Sequence, residues 1–433
     1  IDPTWTVPHF EKMLYDSGLI LEFLAETIRF GEKSPAIERA MRLTVEWVKR
    51  EMTGAGGYFY AAQDADSFTM PNSEPEEGAF YVWSTAELLS LLEPPELEAL
   101  KAFFIISTAG NFEGKTVLQR REGSGLSELA EQGLTKLFQA RYGSPQVQRF
   151  PAATTVQMAN TQQWPGRIPP VTDTKLIVAW NALMISGLAK AAIALKQSDY
   201  LDMAVAAARF ILQNQWRKNR LYRLSYDGQA AVLAQSEDYA FFTQALLDIQ
   251  QTCLVFDGYL SQSAEWLQQA QRVQAEQNKW FWDDDDTSGG YFNTAYDLRS
   301  RLLSQEKSYR DDSTPSANGI AIANLVRLSQ LIGNGEYLSQ AERALDSFSR
   351  VMEKEPLACP SLFRALDWFQ NVTLVKSSVE RISVLCQEFL PTTVFAIQAD
   401  LPEGVVGFVC KDLTCLEPAV SEESLKAQVL SRR

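Results

Sequence analysis

Helical periodicity dominates the chain, and the helical segments are of two kinds. Some are apolar on nearly every side, which is the pattern of a helix buried all round. These are residues 175–196, 239–255 and 315–332. The segments that follow them carry a single apolar stripe and polar faces elsewhere, which is typical of a helix with one covered face. These are residues 201–216, 260–273 and 337–352.

The order of inner helix, short turn, outer helix and long loop repeats along the chain. Residues 13–30 and 37–52 fit the same scheme as an earlier pair. An inner ring of helices wrapped by an outer ring is an α/α toroid, and closure with six hairpins, (α/α)6, suits a chain of this length. An open α-solenoid is the alternative. The sequence lacks the fixed repeat of roughly 20 to 50 residues that a solenoid shows.

Two regions depart from this order. Residues 84–106 are helical but interrupted at Pro94-Pro95, and residues 126–140 are helical within an irregular excursion. After residue 371 the chain turns to short β-branched runs and a last helix at 422–430. We therefore predict an all-α toroid over residues 1–370, with its first hairpin incomplete at the N-terminus, and a small α/β element over residues 371–433.

Composition and charge exclude some classes of partner and location. The formal net charge is -14 and no basic stripe offsets it, so nucleic acid is not an expected partner. No apolar run reaches about 18 residues, so no membrane span is expected. The five cysteines are mostly scattered, which for a chain this long suggests reduced thiols and a cytoplasmic protein.

Metal and cofactor sites are not expected. Cys410 and Cys415 form the only close cysteine pair, without CxxC spacing, and His9 is the only histidine. That leaves too few ligands for a four-coordinate zinc site. The sequence also lacks the glycine-rich signatures of nucleotide-binding loops and the GxSxG elbow of serine hydrolases.

Three loops share a pattern of glycine, aromatic and acidic residues before a new helix. In a ring of hairpins these loops and the inner-helix N-termini lie at one end, where exposed N–H groups favour acids or anionic ligands. The candidate catalytic acids are Asp64, Asp66, Glu11 and Asp238. One of them would act as general acid while another carboxylate activates water. The alternative is that these acids cap helices and hold loop shape.

Other polar and aromatic residues of the same loops are candidates for substrate binding. They are His9, Lys12, Gln63, Trp180, Asn181, Tyr239, Lys307, Asp312, Ser316 and Asn318. The lysines would be ion-paired, bind anions or form a Schiff base. A mechanism that needs two histidines is excluded unless a further segment supplies one.

Several motifs together resemble a known family. They are Val7-Pro8-His9-Phe10-Glu11-Lys12-Met13-Leu14-Tyr15-Asp16, Ala62-Gln63-Asp64-Ala65-Asp66-Ser67, Trp180-Asn181-Ala182-Leu183-Met184, Glu237-Asp238-Tyr239 and Thr314-Pro315-Ser316-Ala317-Asn318. On these residues the chain resembles the thioredoxin-domain proteins typified by spermatogenesis-associated protein 20 and its bacterial relatives. The resemblance runs over essentially the whole chain.

The resemblance implies an N-terminal thioredoxin-like domain in the full-length protein, followed by an (α/α)6 toroid similar to six-hairpin glycosidases and N-acylglucosamine 2-epimerases. Two functions follow as hypotheses. The first is a carbohydrate-active enzyme, a glycoside hydrolase or sugar isomerase, with a sugar-like ligand. The second is a non-catalytic module that binds a ligand or client alongside the thioredoxin-like domain. Lyase action on acidic sugars is a third, weaker option.

Overall fold

The computed structural model describes residues 6–121, 125–226, 228–285, 288–301, 303–411 and 413–431. The helices are α1 Leu14–Phe30, α2 Pro35–Glu51, α3 Thr85–Leu91, α4 Pro94–Phe103, α5 Glu128–Tyr142, α6 Val156–Thr161, α7 Val178–Leu195, α8 Ser198–Asn214, α9 Ser236–Cys253, α10 Ser263–Phe281, α11 Ala317–Ile332, α12 Gly335–Lys354, α13 Pro360–Asn371, α14 Val379–Leu385 and α15 Glu422–Leu430. The protein is 53% helical.

The strands are short. They are β1 Lys12–Met13, β2 Ala62–Gln63, β3 Asp66–Ser67, β4 Glu76–Glu77, β5 Phe104–Ile105, β6 Gln119–Arg120, β7 Thr172–Asp173, β8 Leu176–Ile177, β9 Trp216–Arg217, β10 Arg220–Tyr226, β11 Gln229–Leu233, β12 Thr373–Ser377, β13 Thr393–Ile397, β14 Gly407–Lys411 and β15 Thr414–Cys415. The hairpin of β10 and β11 lies in the loop between α8 and α9, where the sequence analysis predicted no strands.

The chain forms two compact units. The first comprises residues 1–17, 33–55 and 59–176, and the second comprises residues 18–32, 56–58 and 177–433. The predicted C-terminal element therefore lies within the second unit. The division predicted between residues 370 and 371 stays a prediction.

The second unit contains the two predicted kinds of helix. The inner helices α7, α9 and α11 are buried along nearly their whole length, whereas α8 and α12 each bury one stripe. The helix α9 packs against α7, α10 and α11. Among the described residues, α7 alone is long and apolar enough to cross a membrane, and 83% of it is buried inside the protein.

Two glycines allow α1 and α7 to approach closely within the second unit. A Cβ atom at Gly18 would lie 2.7 Å from backbone atoms of Leu183 and Met184, and one at Gly187 would meet the Gly18 carbonyl oxygen. Backbone atoms cannot move aside as a flexible side chain can. The helix contact therefore depends on the absence of side chains at these two positions.

The C-terminal element is a four-stranded sheet with strand order β13-β12-β14-β15, in which β12 and β13 are parallel. It packs on the C-terminal ends of inner helices in the same unit. The Gln251 side chain of α9 exchanges two hydrogen bonds with the backbone of Phe395, and Arg29 of α1 donates to the carbonyl oxygens of Cys386 and Glu388.

Cys410 and Cys415 form a disulfide, so the prediction of reduced thiols is wrong for this pair. Antiparallel pairing of β14 with β15 places the two residues directly opposite each other, which sequence spacing alone did not reveal. The remaining cysteines, Cys253, Cys359 and Cys386, are free and buried.

We predict that Gly18→Ala lowers the free energy of unfolding by about 1–3 kcal/mol, because the added methyl group overpacks the contact between α1 and α7. Urea denaturation at equilibrium measures the change. Gly258→Ala is the control, since a Cβ atom there meets nothing within 4 Å. Equal stabilities of the two variants would contradict the close-packing account.

Candidate functional site

The predicted site residues are divided between the two units. His9, Glu11, Lys12, Gln63, Asp64 and Asp66 belong to the first unit. Trp180, Asn181, Asp238, Tyr239, Lys307, Asp312, Ser316 and Asn318 belong to the second. The convergence of both sets on one cavity stays a prediction.

A small antiparallel sheet positions Lys12 and Gln63 in the first unit. The strand order is β1-β2-β7, and Lys12 lies directly opposite Gln63, which in turn lies opposite Thr172. Directly opposed residues on neighbouring strands have side chains on the same face. The sheet therefore joins two distant sequence motifs at one point.

Lys12 has an unusual environment for an amine. Its side chain is half-buried, its Nζ lies 3.5 Å from the centroid of the Tyr81 ring, and it donates a hydrogen bond of 3.2 Å to the Phe10 carbonyl oxygen. Burial lowers the pKa of Lys12 to about 7, with Glu51 opposing the shift and Arg141 adding to it. An amine with this pKa exchanges protons readily near neutral pH.

Gln63 is held by a buried network beside Lys12. Its Oε1 accepts hydrogen bonds from Trp47 Nε1 at 3.1 Å and from the Tyr81 hydroxyl at 3.4 Å, and its Nε2 donates to Glu51 Oε2 at 3.2 Å. Burial, followed by the negative charge of Glu51, raises the pKa of Tyr81 well above its usual value. Tyr81 therefore keeps its hydroxyl proton and acts as a hydrogen-bond donor.

Glu51 anchors this network. Its Oε1 accepts hydrogen bonds from the Tyr142 hydroxyl at 2.6 Å and from Arg50 at 2.7 Å. Glu51 was not among the predicted site residues, although its position in the sequence carries a signal. Glu51 lies three residues after Val48 on the buried stripe of α2, and a charged residue on such a stripe requires a partner.

The candidate acids of the first unit are exposed. His9 Nε2 lies 3.9 Å from Glu11 Oε2, and both side chains reach solvent. Asp64 Oδ1 accepts a hydrogen bond of 3.2 Å from the Asp66 amide, which holds the turn between them. Asp66 lies directly opposite Glu77 in the pair of β3 and β4, so two exposed carboxylates share one face there.

Asp238 is placed differently, since it is fully buried at the start of α9. Its Oδ1 accepts from the Ala179 amide of α7 at 3.0 Å, and its Oδ2 accepts from the Gln235 amide at 2.9 Å and from Arg223 at 3.3 Å. Burial raises the pKa of Asp238 to about 6, Arg223 opposes the shift, and Glu237 adds to it. The carboxylate therefore ties together the N-termini of two inner helices.

Hydrogen bonds also connect α9 and α11 near their N-termini. The Ser236 amide donates to the Asn293 carbonyl oxygen at 3.1 Å. Asn318 of α11 accepts from the Tyr291 amide at 2.7 Å and donates to the carbonyl oxygens of Tyr291 and Ser308. The N-terminal ends of α7, α9 and α11 thus lie together within the second unit.

Most other candidates in the second unit also make structural contacts. Lys307 donates to Asp283, Ser288 and the Gly289 carbonyl oxygen. Ser316 caps α11 by accepting from the Gly319 amide, and the Tyr239 hydroxyl accepts from the Leu221 amide. Buried Asn181 donates to the Ile177 carbonyl oxygen, whereas Trp180 is half-buried and Asp312 is exposed.

Over the described residues, no group of three or more His, Cys, Asp and Glu side chains is arranged to hold a metal ion.

The chain is similar to curated proteins over most of its length. It is 30% identical to human spermatogenesis-associated protein 20 over 406 residues, which is 84% of this chain and 47% of the human protein. It is 27% identical to an uncharacterized protein of Caenorhabditis elegans over 98% of this chain and 61% of that protein. The chain spans about half the length of the mammalian relatives it matches. No family model matches it.

Solved structures resemble the chain more distantly. Cellobiose 2-epimerase from Spirochaeta thermophila is 10% identical, with a TM-score of 0.43 over 80% of this chain and 61% of that chain. An α-mannanase from Bacteroides thetaiotaomicron is 13% identical, with a TM-score of 0.40 over 78% and 60%. The alternation of wholly buried and one-sided helices in the second unit is that of the predicted six-hairpin class.

We predict that Lys12 makes stability depend on pH above neutrality. The pKa of Lys12 is about 7 in the folded protein, against 10.5 for an unperturbed lysine. Between these values the unfolded chain binds more protons than the folded one, so the free energy of unfolding rises with pH. Urea denaturation at a series of pH values tests this. Lys12→Met should lose the rise and Lys101→Met should keep it, whereas identical profiles would contradict the lowered pKa.

Asp238→Ala should lower the free energy of unfolding by about 2–4 kcal/mol, because it removes the acceptor of the buried Ala179 amide and of the Gln235 amide and one of the two carboxylates that pair with Arg223. Thermal and urea denaturation measure the loss. Asp312→Ala, at an exposed position, should change stability by less than about 0.5 kcal/mol. An Asp238→Ala protein as stable as this control would refute the structural role.

Proposed function

The chain is homologous to spermatogenesis-associated protein 20, and we propose that it acts as a carbohydrate-active enzyme of the isomerase or hydrolase class. The observation that carries this proposal is the Lys12 amine, whose pKa is lowered to about 7 beside the Tyr81 ring. General acid-base catalysis is most efficient when the catalytic pKa lies near the working pH. Sugar isomerisation requires such a group.

Isomerisation would begin with the open-chain form of an aldose or ketose. The neutral Lys12 amine takes the proton on the carbon next to the carbonyl group, and the electron pair of that C–H bond forms the double bond of an enediolate. The hydroxyl proton on the adjacent oxygen then moves to the negative enediolate oxygen, and Lys12 returns its proton to the former carbonyl carbon. A new carbonyl group forms on the adjacent carbon, so the step consumes no co-reactant.

The exposed acids suit the remainder of a sugar. Glu11, Asp64 and Asp66 offer carboxylate oxygens to hydroxyl groups, and His9 adds a further polar contact. Hydrolysis is the second possibility, with Asp66 and Glu77 as the two carboxylates. Directly opposed residues such as Asp66 and Glu77 have Cβ atoms about 4.5–5.5 Å apart, and retaining glycosidases keep their two carboxyl groups at a similar spacing.

The candidate residues of the second unit have structural or sugar-binding roles in the proposal. Asp238, Ser316 and Asn318 hold the ends of inner helices and loops, which assigns them to shaping rather than to chemistry. Trp180 and Asp312 have accessible surface and stay proposed as sugar contacts.

The proposal also includes a partner domain and a cellular location. We propose that the chain works with a thioredoxin-like domain of the same full-length protein, in the cytoplasm. A reducing cytosol opens most disulfides. The redox state of Cys410 and Cys415 in freshly lysed cells therefore tests the location, and a persistent disulfide would argue for an oxidising compartment.

We predict that the protein exchanges the proton next to the carbonyl group of a reducing sugar with solvent. The probes are glucose, mannose, fructose and cellobiose in heavy water, and nuclear magnetic resonance measures deuterium incorporation. Lys12→Met should slow exchange by about 100-fold or more. The rate should rise with pH through a midpoint near 7, because the neutral amine is the active form.

Lys101→Met is the matched control, since this half-buried lysine pairs only with Glu98 among the described residues. Loss of nitrophenyl glycoside hydrolysis in Asp66→Asn, with no deuterium exchange in the native protein, would favour the hydrolase. Saturable sugar binding without either reaction would favour the non-catalytic binding module instead.

A further inference from the structure

A cavity of about 440 Å³ lies in the second unit, away from the N-terminal ends of its inner helices. It is lined by residues 19–29 of α1, by the C-terminal halves of α7, α9 and α11, by α13, and by Cys386 and residues 389–395 of the C-terminal element. On α9, Asp248 of this cavity lies ten residues after Asp238, which is about 15 Å along the helix axis. The cavity size is that of a small-molecule site.

Ion pairs cover one wall. Lys190 donates to Glu22 at 2.7 Å and lies 3.2 Å from Glu26. Although burial opposes ionisation, Lys190 and Arg364 lower the pKa of Glu22 to about 2. Arg327 binds Asp248 at 2.7 Å. Burying a charge costs free energy unless the charge is paired. Packing alone therefore does not explain such a network on otherwise apolar inner helices.

Two atoms of this wall have no partner among the described residues. They are Asp248 Oδ2 and Arg327 Nε, and both side chains are more than nine-tenths buried. Buried polar atoms of charged groups are normally bonded, and an exception points to a missing water, ion or ligand. Both atoms belong to residues that line the cavity.

Arg364 differs from the other cations. Arg29 donates to two backbone carbonyl oxygens and to Glu26, and the Lys190 side chain is only 15% exposed. The Arg364 side chain is 44% exposed, and among the described residues it donates one hydrogen bond, of 3.3 Å, to Glu22. A guanidinium group presents a planar fork of donors, so most of the Arg364 fork remains available to a ligand in the cavity.

An aromatic wall also lines the cavity. It includes Trp368, Phe389, Leu390 and Phe395. Trp368 also lies under the Arg327 guanidinium, at 5.7 Å from ring centroid to carbon. A ligand that fills this cavity must therefore present a charged or polar end to Arg364 and an apolar body to the aromatic wall.

We propose that this cavity binds a small organic carboxylate with an apolar body, through Arg364. The four cations and three acids that line it sum to one positive charge, which matches a monoanion. A phosphate dianion would bring surplus negative charge beside Glu22, Glu26 and Asp248. A carboxylate fits the Arg364 fork in bidentate fashion. The site is independent of the catalytic proposal for Lys12.

The test uses benzoate and hexanoate as probes, with benzamide, hexanol and inorganic phosphate for comparison. Isothermal titration calorimetry measures binding, and thermal unfolding measures stabilisation of the folded protein. We expect saturable binding of the carboxylates, and binding of the neutral analogues and of phosphate that is at least about 10-fold weaker. Arg364→Gln should weaken carboxylate binding by about 10- to 100-fold.

Arg364→Lys keeps the charge and should bind carboxylates with intermediate affinity. If Arg364→Gln fails to fold, Arg364→Lys tests the proposal in its place. Arg350→Gln, at an exposed position of α12, should bind like the native protein. Carboxylate binding should also survive in Lys12→Met, which separates this site from the catalytic one. The proposal fails if carboxylates do not bind up to about 10 mM, if benzamide binds as well as benzoate, or if phosphate binds as tightly.

Discussion

A helix enclosed on every side has no water with which to satisfy its polar groups, and this constraint governs the second unit. The inner helices α7, α9 and α11 are almost wholly buried, so each polar atom on them has to find a partner within the protein. At their N-terminal ends, Asp238 and Asn318 meet this need by binding backbone groups of neighbouring segments. At their C-terminal halves, ion pairs do so, and unbonded atoms remain there.

The same constraint produces reactivity in the first unit. Lys12 is brought by β1 into a site whose other members, Gln63, Tyr81 and Glu51, are tied to one another. The ring of Tyr81 covers the amine without accepting a proton, and Glu51 compensates only part of the burial. A conventional ion pair would have kept the pKa of Lys12 high. Its absence among the described contacts of the Lys12 amine is what makes that group suitable for proton transfer.

The sequence predicted the helices well because their signal is local. The boundaries of α1, α7, α9, α11 and α15 fall within a few residues of the predicted ones, since apolar periodicity is read directly from the chain. The site was harder to predict because it depends on pairing between distant segments. Nothing local shows that Lys12 lies opposite Gln63, or that Cys410 lies opposite Cys415. The charged residues Lys190, Asp248 and Arg327 interrupt apolar helices. This local pattern indicates a buried polar site, although no such site was predicted from it.

The central claim is that the Lys12 amine is neutral for much of the time near pH 7 in the folded protein. Nuclear magnetic resonance of the protein with carbon-13 at the lysine ε position measures this directly, with Lys12→Met identifying the signal. The account predicts a titration midpoint for Lys12 near 7. A midpoint near 10.5, the value of an unperturbed lysine, would contradict it and would remove the basis for proton transfer at this site.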